Sequence, residues 1–474
     1  MDKYELFREH LKEGAEEFKK VDNNDVVRIV SHLDCDGICA CSILIKLLTS
    51  ENRRYSVSII QQLNEKVLKE LAKEDYNTFV FTDLGSAQFN NIKELFGDKK
   101  FFVLDHHEIE EKEIAVNHMN PNLFGIDGGK EISGAGVVYL FCSLLSKKIE
   151  SDMAHVAVIG AVGDVQEENG FLELNNSILE VATVNNKIKV SRGLRVFGIQ
   201  TKPIHKVLEY CSNPYIPDVT GSESGTIQFL NQMGIEPMNG KDWKKIIHLN
   251  EEEMKRLVSG IIMKRVNEKN PSDVLGNVYT LVEEVEESPL RDAKEFSTLL
   301  NSCGRLSKAS LGIGVCLGDE KSKKRAIKNL TDYKKEIVKA LKWYEENKES
   351  DGVFREGGFM IINAKDEVLY TIIGTIASIL SRSNDVEEGT YIMGLARTKE
   401  ESNTKVSLRI GGKDEHEGVD LRQVVTDVVE RVGFGQAGGH PLAAGAIIPS
   451  EKEKEFISAA KDVLRERVGK ANKK

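Results

Sequence analysis

Residues 26–48 read VVRIVSHLDCDGICACSILIKLL. A short run dominated by valine and isoleucine, Val26 to Val30, has the composition of a strand. A polar turn follows, Ser31-His32-Leu33-Asp34-Cys35-Asp36-Gly37, and then an apolar stretch from Ile38 to Leu48 with helical length and spacing. A strand that passes through a short turn straight into a helix is the first half of a βαβ unit. The same rhythm recurs downstream, with strand-like runs at Tyr55 to Ile60, Phe79 to Thr82 and Phe101 to Leu104, and a helical pattern at Asn64 to Lys73. Together they predict an α/β fold whose parallel strands are covered by helices and buried on both faces. In such sheets reactive groups gather beyond the carboxyl ends of the strands.

Working outward from that core, Ser133 is a candidate N-cap. The small residues Gly134-Ala135-Gly136 behind it let another group approach the positive end of a helix. A second helical run, Asp152 to Val162, ends at Gly163-Asp164. Between about 200 and 300 prolines and acidic residues rise (Asn213-Pro214, Ile216-Pro217, Glu251 to Glu253) and the alternation disappears, which reads as a mostly helical inserted domain. Residues 321–349 form one long polar helical pattern carrying Lys321, Lys323, Lys324, Arg325, Lys334 and Lys335, suited equally to a solvated spacer and to a strand-tracking face. After Asp351-Gly352 a smaller α/β domain begins. It has strands at Phe359 to Ile362, Tyr391 to Leu395 and Lys405 to Ile410, helices at Thr371 to Leu380 and Val419 to Arg431, and a glycine-rich segment from Gly433 to Gly445. The expected division is therefore 1–200, 201–305, 306–350 as a connecting helical segment, and 351–474.

Composition narrows the function classes. The 474 residues carry 65 Lys and Arg against 75 Asp and Glu, a formal charge of -10, which argues against a protein that coats nucleic acid by bulk electrostatics but leaves room for a local basic groove. No stretch approaches the roughly 18 apolar residues of a membrane helix. The opening MDKYELFREHLKEGAEEF is a charged helical pattern with no apolar signal core, so a cytoplasmic protein without a membrane partner is expected. The seven cysteines include no CxxC pair and read as reduced, buried thiols rather than zinc ligands.

Four polar clusters stand at strand or helix ends: His32 to Gly37, Thr82-Asp83-Leu84-Gly85, Asp105-His106-His107-Glu108, and Gly160 to Asp164. Singly, each has a plainer explanation as a turn or a helix cap. Jointly they place carboxylates and imidazoles at one sheet edge, where the carboxylates would repel one another without bound cations. That donor set suits hard or borderline ions such as Mn2+ or Mg2+, and a pair of them bridged by one Asp forms a clamp for phosphoester cleavage.

The order of these motifs, Asp-x-Asp-Gly, a later Asp, Asp-His-His and a downstream Gly-Asp, resembles the DHH phosphoesterase superfamily. Val406-Ser407-Leu408-Arg409 and Gly438-Gly439-His440-Pro441-Leu442-Ala443-Ala444-Gly445 resemble the DHHA1 domain that accompanies it. Within the superfamily, His32 to Gly37, the long insertion and Asn301-Ser302-Cys303-Gly304-Arg305-Leu306 look most like the archaeal RecJ-like nucleases, the branch of the GINS-associated nuclease and relatives of Cdc45. The resemblance implies an N-terminal DHH domain and a C-terminal DHHA1 domain. It also implies two divalent ions, Mn2+ ahead of Mg2+. His32, Asp34 and Asp83 would hold one and Asp36, Asp83, His106 and Asp164 the other, with Asp83 bridging. His107 would contact the scissile phosphate, with Asp105 behind it. Ser407, Arg409, His440 and the backbone at Gly438 and Gly439 would grip a neighbouring phosphate, and Arg305 would add a further contact. One departure is that His32 precedes Asp34 by two residues, where other branches place the histidine four residues before.

The function this implies is a two-metal exonuclease on single-stranded DNA, working from the 5′ end, releasing mononucleotides and extending to RNA. It would act in DNA replication or repair, with GINS and the replicative helicase as partners. A groove between a metal domain and a grip domain would pass one strand and exclude a duplex. The alternatives are a phosphodiesterase for oligoribonucleotides or cyclic dinucleotides, a replisome scaffold of the Cdc45 kind, and, more distantly, a pyrophosphatase.

Overall fold

The strand-turn-helix at residue 26 folds as read. In the computed structural model, which describes residues 2–109, 113–211, 213–383, 386–398, 402–412, 419–440 and 442–471, the chain divides into two compact units, Met1–Leu330 and Thr331–Lys474. The first begins α1 (Lys3–Lys19), β1 (Val27–His32), α2 (Cys35–Ser50), β2 (Tyr55–Ile60), α3 (Glu65–Ala72), β3 (Thr78–Thr82), α4 (Phe89–Phe96), β4 (Lys100–Leu104) and β5 (His118–Met119). Its five strands are parallel in the order β2-β1-β3-β4-β5. Alternate side chains serve opposite faces. Phe79 and Phe81 pack with Phe96 of α4 at ring distances of 4.8 and 5.6 Å, while Phe102 faces the other way against Phe18 of α1.

Burial on both faces holds for β1, β3 and most of β4, and fails for β2. Tyr55–Ile60 is the sheet edge, so only one flank is paired; Tyr55 is exposed and the five residues after it are half-buried. The two-residue β5 was not expected, being too short to leave a periodic signal.

Three helices complete the layer: α5 (Gly134–Leu145), capped by Ser133 as expected, α6 (Lys147–Gly163) and α7 (Glu173–Val184). The run expected from Asp152 starts five residues earlier, at Lys147. The insertion holds β6 (Ile188–Leu194), α8 (Ile204–Glu209), α9 (Glu223–Gln232), β7 (Met238–Asn239), β8 (Asp242–Trp243), α10 (Glu251–Lys264) and β9 (Leu275–Leu281). It is mainly helical, and it adds an antiparallel ribbon in which Ile188 pairs with Leu281 and Leu194 with Leu275. Then come α11 (Ala293–Arg305), α12 (Ala309–Cys316) and the long helix α13 (Glu320–Asn347).

The second unit carries β10 (Val353–Glu356), β11 (Phe359–Asn363), α14 (Ile373–Leu380), β12 (Tyr391–Arg397), β13 (Asn403–Ile410), α15 (Leu421–Val432), β14 (Gln436–His440), β15 (Ala443–Pro449) and α16 (Glu453–Ala471). Its six-stranded mixed sheet runs β10-β11-β12-β13-β15-β14, with only β11 and β12 parallel. Met393, Leu395, Val406 and Leu408 face the core made with α15 and α16, so Gly394, Ser407 and Arg409 point to the opposite face, where α14 lies. The glycine-rich segment expected only as such forms the β14–β15 hairpin.

Among the described residues no helix is long and apolar enough to cross a membrane. All seven cysteines are buried and unpaired, in keeping with the plainer reading.

Candidate metal centre

The carboxyl ends of β1, β3 and β4 deliver the polar clusters to one place. His32 ends β1, Asp83 follows β3, Asp105-His106-His107 follow β4, Asp34 and Asp36 open α2, and Asp164 caps the end of α6. Asp36, Asp83 and His106 form a floor with at most 2% exposure. Asp34, His32, Asp164 and His107 form the rim, their side chains 22–33% exposed.

Three overlapping donor groups share this space: His32, Asp34 and Asp83; Asp36, His106 and Asp164; and Asp83, His106 and His107. His32 Nδ1 lies 3.0 Å from Asp34 Oδ2 and 3.5 Å from Asp83 Oδ2. His106 Nε2 lies 3.3 Å from Asp83 Oδ1, 3.3 Å from Asp164 Oδ2 and 3.7 Å from Asp36 Oδ2. Asp83 thus turns Oδ2 towards His32 and Oδ1 towards His106 and, at 3.9 Å, His107 Nδ1. Its backbone has φ +58°, the left-handed region a non-glycine residue seldom adopts. A hydrogen bond from its N–H to the Leu104 carbonyl (2.9 Å) holds it there.

Each ligand candidate is oriented by a neighbour. Asp34 Oδ1 accepts from the Gly37 N–H (3.1 Å), so the residue caps α2 while its other oxygen, Oδ2, faces His32. Asp36 accepts from the Gly134 and Ala135 N–H groups (2.6 and 3.0 Å). The group admitted to the positive end of α5 by its small residues is therefore the chain's own carboxylate. His106 Nδ1 donates to the Gly128 carbonyl (2.6 Å), which fixes the tautomer and turns Nε2 towards the carboxylates. Asp105 accepts from His107 Nδ1 (2.7 Å) and from the backbone of Ser86, His106 and His107.

The electrostatics describe a site short of positive charge. Burial, reinforced by the Asp83 carboxylate, pushes Asp36 up to about 7, and burial with Asp36 raises Asp164 as well. Against burial, the Asp34 carboxylate raises His32, and Asp83 and Asp164 raise His106. Asp105 is held low despite its burial by the His107 imidazole beside it. Both oxygens of Asp83 are buried, and among the described residues they face imidazoles, His32 Nδ1 at 3.5 Å and His106 Nε2 at 3.3 Å, without a well-formed hydrogen bond. Such groups in an all-nitrogen-and-oxygen donor set fit divalent cations.

Several residues that the sequence shows only as small or as parts of a motif build the site. An ideal Cβ on Gly134 would lie 2.5 Å from Asp83 Oδ1, and one on Gly160 2.4 Å from Asp36 Oδ1, so these glycines make the room the carboxylates occupy. Thr82 Oγ1 donates to Ser31 Oγ (2.7 Å), tying the tops of β1 and β3 together. Asn301 Oδ1 accepts from the Cys35 N–H (3.0 Å), and Gly304 leaves no space for a Cβ against the Leu33 carbonyl. The Asn301 to Leu306 stretch therefore braces the loop that bears Asp34 and Asp36. Arg305, half-buried at the end of α11, lies on that same brace.

The second unit collects the other expected residues. Ser407 pairs with Gly445, and Gly445 with Gly438, in one row across β13, β15 and β14. Arg409 Nε donates to Ser378 Oγ (2.9 Å) and its Nη1 to the Leu408 carbonyl (2.8 Å). A Cβ on Gly438 would meet nothing within 4 Å, and Gly439 needs its φ of +124°. His440 belongs to β14 by its backbone, while its side chain and Pro441 lie outside the described residues.

The comparisons follow the same order along the chain. The DHH family N-terminal domain matches residues 26–161, the DHH-CID domain 196–278 and the DHHA1 domain 357–466. The uncharacterized protein MJ0831 of Methanocaldococcus jannaschii is 31% identical over 450 residues, 93% of this chain and 94% of that protein. Among solved structures, exonuclease RecJ bound to manganese aligns with a TM-score of 0.56 at 14% identity, over 96% of this chain and 94% of that one. Cdc45 from Entamoeba histolytica aligns with a TM-score of 0.61 at 13% identity, over 98% of both chains. Domain content, domain order and full-length similarity agree: the chain belongs to the DHH–DHHA1 family and shares the fold of RecJ and Cdc45.

Proposed function

We propose that this chain is a two-metal-dependent exonuclease that hydrolyses single-stranded DNA from the 5′ end, releases mononucleotides and also accepts RNA. The observation that carries the proposal is the division of Asp83, with Oδ2 facing His32 and Asp34, and Oδ1 facing His106. In this reading His32, Asp34 and Asp83 hold one ion, and Asp36, Asp83, His106 and Asp164 the other. Bound there, a pair of Mn2+ or Mg2+ ions supplies an activated water and neutralises charge on the phosphate. Kinship in fold to RecJ structures that hold manganese or Mg2+ supports a divalent ion of this class, and Mn2+ is the one we propose.

The chain's own part is positioning. Asp105 ties down Nδ1 of His107, so the imidazole stands at the rim, ready to donate to a phosphate oxygen as charge develops on it. Ser407, Arg409, His440, the N–H groups at Gly438 and Gly439, and Arg305 are assigned to neighbouring phosphates, a backbone grip that reads no sequence. No side chain is asked to act as a nucleophile.

A second reading is a purely architectural role of the Cdc45 kind, to which the full-length fold likeness to Cdc45 lends support; in either role GINS and the replicative helicase are the partners we propose. The complete donor set at the metal centre favours catalysis over that role alone. The test uses DNA and RNA oligonucleotides labelled at one end, with Mn2+, Mg2+ or chelator. Release of a 5′-labelled mononucleotide only with metal is expected. Activity confined to two- to five-residue oligomers would move the assignment to a small-substrate phosphodiesterase.

A further inference from the structure

We propose that Asn122 is a positioning residue for the metal centre: with Gly128 it closes a ring of hydrogen bonds around His106 and so sets how tightly the centre holds its ions. The inference rests on the metal reading above. Asn122 Nδ2 donates to the carbonyls of His106 (2.9 Å) and His107 (3.0 Å). Its Oδ1 accepts from the Gly128 N–H (3.2 Å), and the Gly128 carbonyl accepts from His106 Nδ1 (2.6 Å). The ring thus begins on the His106 main chain and ends on the His106 imidazole.

Everything around the ring serves to hold it. A Cβ on Gly128 would lie 2.0 Å from the His106 carbonyl oxygen, so only glycine permits the approach. Gln166 Nε2 donates to the same Gly128 carbonyl (3.0 Å) and fixes it from the other side. Asn120 caps the short turn Pro121–Phe124, accepts the Asn122 N–H on its Oδ1 (2.8 Å), and donates to the His107 carbonyl (2.8 Å). Only a carboxamide offers two donors and an acceptor in one plane. Outer-shell partners of this kind fix ring orientation and basicity, and their loss weakens metal binding about 10- to 100-fold.

The test is a calorimetric titration of Mn2+ into the full-length chain, comparing wild type with Asn122→Ala, Asn122→Asp and Asn117→Ala. Asn117 Nδ2 donates to the Phe101 carbonyl (3.0 Å), so its loss removes an amide-to-carbonyl bond from the same segment without touching either histidine. Asn122→Ala should weaken Mn2+ binding about 10- to 100-fold while Asn117→Ala leaves it unchanged, with thermal unfolding of the metal-free proteins shifted comparably. Asn122→Asp keeps the shape and the acceptor but loses both donors, and should weaken binding likewise even where the alanine variant does not fold. Wild-type affinity in the folded Asn122 variants, or equal weakening in Asn117→Ala, would overturn the inference and leave the two-metal reading standing. A wild-type chain that takes up no Mn2+ would overturn both.

Discussion

Gly134 is the position where adding one methyl group separates the site from the fold. It opens α5 and donates its N–H to Asp36 Oδ2, and an alanine Cβ there would stand 2.5 Å from Asp83 Oδ1, 2.8 Å from Asp83 Cβ and 2.9 Å from Asp36 Oδ2. Ordinary contact begins at 3.4 Å, so the Asp83 carboxylate would have to retreat by about 0.9 Å. Rotation alone cannot relieve the clash, because Asp83 Cβ is itself too close and its backbone is held at φ +58° by the bond to Leu104. A misplacement near 1 Å costs on the order of 100-fold in rate. The helix itself should gain, since Gly to Ala at a compatible backbone stabilises by about 0.4–1 kcal/mol through the unfolded chain. Overpacking against Asp83 Cβ costs about 1–3 kcal/mol, more than the helix gains, so Gly134→Ala should stay folded without metal but melt below wild type, and should lose Mn2+ affinity and about 100-fold in turnover on labelled single-stranded DNA. Gly357→Ala, where a Cβ meets nothing within 4 Å, is the neutral control. Folded Gly134→Ala with turnover within twofold of wild type would refute the cradle geometry.

Three further outcomes are expected. Asp83→Asn should abolish metal-dependent cleavage while the metal-free chain melts no lower than wild type, because one of several crowded buried carboxylates is gone; unchanged turnover would contradict its role. Mn2+ affinity should rise with pH. Burial and Asp83 leave Asp36 protonated below about 7, and Asp34 and Asp83 or Asp164 raise His32 and His106 above their usual value. An incoming ion must therefore displace protons at low pH and fewer as pH climbs. Calorimetry in two buffers of different ionisation enthalpy reads that release, and affinity flat from about pH 6 to 8 would contradict it. Arg409→Ala should raise KM by about 10- to 100-fold, the worth of one charge-assisted phosphate bond, with kcat less affected. Loss of kcat at unchanged KM would place Arg409 elsewhere in the reaction.

The strands and the metal-centre clusters were legible because both rest on local signals. Val26 to Val30 and Phe79 to Thr82 show their burial in composition, and Asp34, Asp83, Asp105 and Asp164 follow directly on elements whose ends can be read. What was not legible depends on partners distant in the chain. Tyr55–Ile60 has the composition of a core strand, and only the sheet order makes it an edge. The β6–β9 ribbon pairs residues 188–194 with 275–281, across an intervening helical segment. The sequence shows that Gly134 admits some group to a helix end and that Gly160 and Gly304 lie in motifs, but which carboxylate or carbonyl each makes room for depends on the fold. Asn122 and Asn301 likewise acquire meaning only from the backbone groups they bond.

The central claim is that one buried aspartate joins two ion sites. Mn2+ titrated into chelator-stripped wild type and Asp83→Asn, followed by calorimetry, tests it directly. Two ions per wild-type chain, with binding lost at both sites when Asp83 alone is changed, is the predicted result. A single ion in the wild type, or two ions retained by Asp83→Asn, would contradict it.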